Sequence, residues 1–198
     1  MGFTSVLAQA HKLIDASVRP GDIVIDATVG TGADTAFLAE KIAPNGRVYG
    51  FDIQEEAINQ AKMKLAQRGL ADHVTWLLHS HAEMDQHLPL SAKGQVAAAA
   101  FNLGFLPGGS DQQIITQTET TLRALSLSLE WIRPGGVITV VAYPGHPGGD
   151  EEAESVRAWA KALPASAWQV LCYEFINQTN RPPFLIAVTK KKARPSQQ

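Results

Sequence analysis

The chain has 198 residues, 45% of them hydrophobic and 18% charged, with a formal charge of −2. This is one domain of ordinary size with ample material for a core, and the composition excludes a disordered chain. The near-neutral charge excludes broad electrostatic coating of a nucleic acid, and no apolar run approaches the length of a bilayer span. Cys172 is the only cysteine, which excludes an internal disulfide and argues against a structural zinc site. The N-terminal stretch lacks a signal-peptide pattern, so a cytoplasmic protein is expected.

Residues 4–17 place Val6, Leu7, Ala10, Leu13 and Ile14 on one helical face, and Pro20-Gly21 stops that helix. Residues 22–27 (DIVIDA) are the aliphatic run of a strand buried on both faces. A glycine-rich turn opens a helix at about 33–43, which Pro44-Asn45-Gly46 ends. Residues 47–52 predict a second strand, 55–67 the next helix with Gly69 past its end, and 73–78 a third strand. Alanines make 95–101 (QVAAAAF) ambiguous, but its brevity and flanking Gly94 and Asn102-Leu103-Gly104 favour a strand. A helix over 118–132 is broken by Pro134-Gly135-Gly136, before a strand at 137–142. Asp150 is expected to cap a helix running to about Leu163, with Glu151 and Glu152 in its first turn. Two closing strands, 168–176 and 184–190, have no helix between them and must be antiparallel. Together these elements predict a single α/β domain, 1–198, with a mostly parallel seven-stranded Rossmann-like sheet and an antiparallel C-terminal strand.

The strongest local signal is Asp26-Ala-Thr-Val-Gly30-Thr-Gly32-Ala-Asp34, directly after the first strand and opening a helix. Gly30 and Gly32 let a ligand approach main-chain N–H groups, and the helix start favours an anionic group. Asp52 ends the second strand 20 positions after Gly32, where a carboxylate can take both hydroxyls of an adenosine ribose. A dinucleotide reader wants G-x-G-x-x-G, but Thr35 fills its third glycine position. A methyltransferase wants acid-x-G-x-G-x-G, which Asp26, Gly30 and Gly32 match with Thr28 in place of the first glycine. Asp26 there can hold a cofactor ammonium through the loop or a water. His79, His81 and His87 lie near one another, but spacing identifies no further ligands, so no metal is expected. His79-Ser80-His81 instead suits the adenine side of a nucleotide pocket.

Asn102-Leu103-Gly104-Phe105 ends the fourth strand, beside the expected methyl position. It looks like a variant of the Asn-Pro-Pro-Tyr-type motif of amino methyltransferases, in which an Asn oxygen accepts an N–H of the acceptor and aims its lone pair. The segments DATVGTGADT, FDIQ, HSHAEM, FNLGFLPGGSD, TETTL, YPGHPGGDEE and NQTNRPPFLIA resemble a compact bacterial family long labelled rRNA methylases. Its characterised members are tRNA 5-aminomethyluridine N-methyltransferases acting at the wobble base.

That resemblance implies the class I methyltransferase fold, S-adenosylmethionine as cofactor, and methylation of the 5-aminomethyl-(2-thio)uridine amine. It places the cofactor on Asp26, Thr28, Gly30, Gly32, Asp34, Thr35, Asp52, Ile53, Gln54, Ser80, His81 and Asn102. Asn102 is expected to orient the amine and His146 to take its proton, with Asp34 a weaker candidate. Leu103, Gly104, Phe105, Tyr143, Asn177 and Arg181 form the expected substrate wall. The partner implied is a tRNA anticodon arm, gripped through few phosphates near the crevice by Arg181 and the Lys190–Lys192 cluster. That cluster also reads as a solubilising terminus, and a homodimer stays open. The alternatives are an rRNA or small-molecule amine acceptor, a nicotinamide-dependent oxidoreductase using the same glycine turn, and a silent RNA-binding adaptor.

Overall fold

The aliphatic run Ile23–Asp26 forms β1, in the middle of a seven-stranded sheet. In this computed structural model, residues 2–104, 115–145, 148–178 and 180–192 are described. β1 pairs in parallel with β2 (Arg47–Phe51) on one side and β4 (Val96–Asn102) on the other. β3 (Val74–Leu77) lies outside β2, and β5 (Ile132–Ala142) outside β4, both parallel. β7 (Phe184–Lys190) then runs antiparallel between β5 and the edge strand β6 (Trp168–Tyr173). The order β3-β2-β1-β4-β5-β7-β6 reverses direction at β1/β4. A crevice opens at such a switch point, above the strands' carboxyl ends.

Successive strand residues point to opposite faces, so Val24 and Ile25 enter different halves of the core. Val24 and Val48 pack with Ile14 of α1 (Val6–Ser17), Leu38 and Ile42 of α2 (Ala33–Ile42) and Leu65 of α3 (Glu55–Ala66). Ile25, Phe51, Phe101 and Ile138 pack on the other face with Met84 of the short α4 (Met84–His87), Leu125 of α5 (Thr118–Trp131) and Val156 of α6 (Gly149–Ala162). Each such side chain, withdrawn from water, contributes about 1.5–3 kcal/mol before conformational entropy is counted. The alanine run of β4 is a strand because it is central: Ala97, Ala98 and Ala99 are fully buried, and small side chains let both helical layers approach. The N-terminal half of α1 covers the other end of the sheet, where Val6 and Ala10 meet Val141 and Leu185.

Two expectations need correction. β5 does not wait for Pro134-Gly135-Gly136 to pass; it starts at Ile132 and carries them as a bulge. Between the pairs Val96↔Ile132 and Ala98↔Val137, two steps along β4 face five along β5. Proline cannot donate to the ladder and Gly135 sits at φ +82, so the segment loops out and the strand resumes. Asp150 does not cap α6: Gly148, at φ +81, holds the cap position and Asp150 lies in the first turn. Its carboxylate accepts the N–H of Gly145 at 3.2 Å and pairs with Arg181.

Candidate active site

The loops leaving β1, β2, β3 and β4 converge on a cavity of about 600 Å³ at the switch point. After β1, Gly30 takes φ +50, which turns its N–H onto Asp52 Oδ2 at 2.8 Å. Asp52 Oδ1 accepts from Gln54 N at 2.9 Å, so two main-chain donors hold the acid rigid at the cavity wall. A carboxylate fixed this way keeps lone pairs for hydroxyl donors. Gly32 serves packing: at φ +73 it starts α2, and a Cβ there would stand 2.7 Å from Ala61 Cβ. It does not line the cavity.

Asp26 closes β1 and is almost fully buried. It accepts from Thr28 N at 3.2 Å and Thr35 Oγ1 at 2.6 Å. Burial, and after it the nearby Asp34 carboxylate, push its pKa up to about 7 despite those donors. Asp26 and Thr35 therefore stand behind the glycine turn and do not form its cavity face. Asp26, Asp34 and Asp52 make this corner acidic, and a cationic ligand fits it better than a dianionic phosphate pair.

Asn102, the last residue of β4, is tied in twice. Its N–H donates to Thr28 Oγ1 at 2.8 Å, and its Nδ2 donates to Asp34 Oδ2. The other oxygen of Asp34 lies 2.7 Å from His11 Nε2, whose ring stacks on Phe37 at 4.0 Å. Asn102 Oδ1 is buried with no hydrogen-bond partner among the described residues. His81 is the second such case. Its Nδ1 donates to the Ala27 carbonyl at 3.0 Å, leaving Nε2 as a bare acceptor. Burial lowers its pKa, so the ring is neutral and suited to accept a hydrogen bond. Two buried acceptors without donors mark places where a ligand supplies them.

Thr28, Gly30, Asp34, Asp52, Ile53, Gln54, Ser80, His81, Asn102, Leu103, Gly104 and Tyr143 all border the cavity. Burial, and next Asp34, raise the Tyr143 phenol. Asn177 and Arg181 are exposed and do not border it. Phe105 and His146 lie outside the described residues. The Lys190–Lys192 cluster is not near the crevice: β7 runs antiparallel, so Phe184 pairs with Ala142 at the crevice end while Thr189 reaches Val137. Lys190 Nζ donates to the Ile132 carbonyl at 2.9 Å, at the opposite end of the sheet. The expected histidine trio is also rearranged. His81 turns inward, and Glu83 joins His79 and His87, whose rings stack at 3.8 Å.

Five contributors were not expected from the sequence. His11 falls four residues after Leu7 on the apolar stripe of α1, and a polar residue at that spacing was the available sign. Thr116, Gln117 and Thr120 border the cavity from the start of α5. Glu152, expected only as a favourable charge in the first turn of a helix, is buried and accepts from Thr116 Oγ1 at 2.7 Å and Thr121 Oγ1 at 2.6 Å. Thr116 Oγ1 in turn accepts the N–H of Gly104 at 2.9 Å, tying the end of β4 to α6.

Residues 48–189 match the family described as Putative rRNA methylase. The chain is 39% identical over 193 residues, 92% of its own length and 68% of the other's, to a chloroplastic tRNA (mnm(5)s(2)U34)-methyltransferase of Arabidopsis thaliana. A solved structure from Clostridium thermocellum bearing the same family description superposes with a TM-score of 0.91 at 43% identity, covering 96% of this chain and all of that one. A methyltransferase from Streptococcus mutans, solved in complex with SAH, superposes with a TM-score of 0.85 at 33% identity over 96% of this chain and 99% of that one.

Proposed function

Since this chain belongs to the rRNA methylase family and is a class I S-adenosylmethionine-dependent methyltransferase, we propose that its acceptor is the exocyclic amine of 5-aminomethyl-(2-thio)uridine at the tRNA wobble position. The observation that supports an amine acceptor is the bare, buried Oδ1 of Asn102 at the end of β4. The tRNA wobble base is favoured over rRNA by the Arabidopsis relative, whose name states tRNA and mnm(5)s(2)U34, the methylated form of that nucleoside.

The residues fit the cofactor. Asp52, braced by Gly30 and Gln54, would take the ribose hydroxyls, and the Asp34 carboxylate at the cavity wall suits the positive charge. Ile53, Ser80 and His81 would flank the adenine. Bound S-adenosylmethionine supplies an electrophilic methyl group on a sulfonium sulfur.

Asn102 Oδ1 accepts one N–H of the neutral amine, which leaves the nitrogen lone pair free to face the methyl carbon. The methylated nitrogen then holds one proton too many, and His146 is the group to which we assign it. Leu103, Gly104 and Tyr143 would shape the space for the base. A wobble base lies in a single-stranded loop and enters a pocket without a duplex being opened. Such a substrate accords with a cytoplasmic site of action. Among the described residues no helix is long and apolar enough to cross a membrane.

The test is methylation of an anticodon stem-loop carrying 5-aminomethyluridine, beside an unmodified loop, the free nucleoside and ribosomal RNA. Activity on the modified loop alone is expected. Equal activity on the free nucleoside makes this a small-molecule enzyme, and activity confined to ribosomal RNA removes the wobble base as substrate.

A further inference from the structure

Asp34 sits between two side chains from different elements of the fold. Its Oδ1 is 2.7 Å from His11 Nε2 on α1, and its Oδ2 takes Nδ2 of Asn102 on β4. Its side chain is only 11% exposed, so water does little to soften these contacts. A carboxylate accepts and cannot donate, so both neighbours must present N–H. For Asn102 this decides the amide orientation. With Nδ2 on Asp34, Oδ1 faces the other way, buried and bare. Turned over, the amide would set oxygen against oxygen at Asp34. For His11 the contact requires the proton on Nε2, and the Phe37 stack, with ring planes 7° apart, holds the ring in that direction.

We propose that Asp34 and His11 are a positioning pair for Asn102: His11 anchors Asp34, and Asp34 locks the Asn102 amide with its oxygen turned to the acceptor. The proposal rests on Asn102 as the group that orients the acceptor amine. It gives the site a chemical preference. The acceptor must bring a hydrogen to Oδ1 and keep a lone pair, as a neutral amine does and a thiolate or phenolate does not. Neither Asp34 nor His11 takes part in bond making; each acts through the amide.

Two substitutions separate hydrogen bonding from packing at His11. His11→Phe keeps a ring on Phe37 and loses the donor; His11→Gln loses the ring and keeps an N–H donor. Turnover should fall about tenfold or more in His11→Phe, with S-adenosylmethionine affinity unchanged, and His11→Gln should recover most of it. In an Asn102→Ala background His11→Phe should have no further effect, because residues acting through one group are not additive. A second readout needs no turnover. The Asn102 side-chain amide protons, followed by NMR, should carry the downfield shift of a carboxylate hydrogen bond and lose it in Asp34→Asn. Full turnover in His11→Phe with loss in His11→Gln would make His11 a packing residue. Unchanged amide signals in Asp34→Asn would overturn the lock itself. Should the wild-type protein fail to methylate any aminomethyluridine loop, the wobble assignment falls while the NMR measurement still decides the positioning pair.

Discussion

Thr28 Oγ1 accepts the main-chain N–H of Asn102 at 2.8 Å, joining the turn after β1 to the end of β4 across the switch point. Thr28 is the residue that departs from the glycine pattern of this turn, and its hydroxyl accounts for the departure. Thr28→Val keeps the volume and leaves the Asn102 N–H unpaired in a part-buried position. It should cost about 1–3 kcal/mol in urea unfolding and lower turnover together with stability. An unchanged unfolding midpoint would show that the strap is not needed.

Asp52→Ala should weaken S-adenosylmethionine by about 1–3 kcal/mol, the cost of losing a charged hydrogen-bond partner. It also orphans the N–H groups of Gly30 and Gln54, so part of the loss should appear as a slower, looser glycine turn. Calorimetry on a variant shown to be folded tests this, and unchanged affinity would remove Asp52 from the cofactor site.

Asn102→Ala should behave in the opposite way. Its proposed contact is with the acceptor, so turnover should fall strongly while cofactor affinity stays nearly intact. Turnover close to wild type would mean that another group holds the amine.

The elevated pKa of Asp26 carries a stability prediction. Below the ordinary value of 3.8, folded and unfolded chains both keep the proton and there is no penalty. Between 3.8 and about 7 the unfolded chain ionises first, so the native state loses stability as pH rises; above 7 the loss is complete. Asp26→Asn removes that loss while keeping an acceptor for Thr28 and Thr35. It should be more stable than wild type at pH 8, by a few kcal/mol at most, and gain much less at pH 5. Urea unfolding at the two pH values checks the sign. Parallel pH profiles for the two proteins would contradict it.

RNA binding should depend on Arg181 and not on Lys190–Lys192. Arg181 is exposed and pairs with Asp150, at the start of α6 after β5. Phe184 and Lys190 lie six residues apart on β7, about 20 Å at the rise of a strand. Arg181→Ala should lower stem-loop affinity and reduce the salt slope by roughly 0.7–0.9, as for one phosphate contact. Replacing Lys190, Lys191 and Lys192 by alanine should change neither. Filter binding from low to moderate salt distinguishes the two.

Much of this protein is legible in its sequence because short-range signals agreed with the fold. DIVIDA reads as a buried strand, the glycine turn as its exit, and Asp52 as the acid in register. What escaped was set by long-range packing. Glu152 looks like a favourable charge at a helix start, and only the fold brings Thr116 and Thr121 onto it. His11 lies 23 positions before Asp34, in a helix whose docking no local pattern reveals. Pro134-Gly135-Gly136 reads as a stop, yet a bulge lets a strand carry it between β4 and β7. The basic run at the C-terminus was misplaced for the same kind of reason: its charge is local, but its position depends on the direction of β7.

The docking of α1 on β5 and β7 ties distant parts of the chain together. Val6 and Ala10 bury against Leu185, and the Tyr173 hydroxyl donates to the Thr4 carbonyl at 2.7 Å. These contacts join residues 4–10 to residues 141–185, and contacts of such long sequence separation form slowly. α1 rests on β5 as well as β7, so the seating of His11 against Asp34 draws on contacts spread across the sheet. The turn around Gly30 is closed by Asp52, 22 positions away, whereas Asn102 reaches Asp34 across 68, so the Asn102 side of the crevice should order after the Asp52 side.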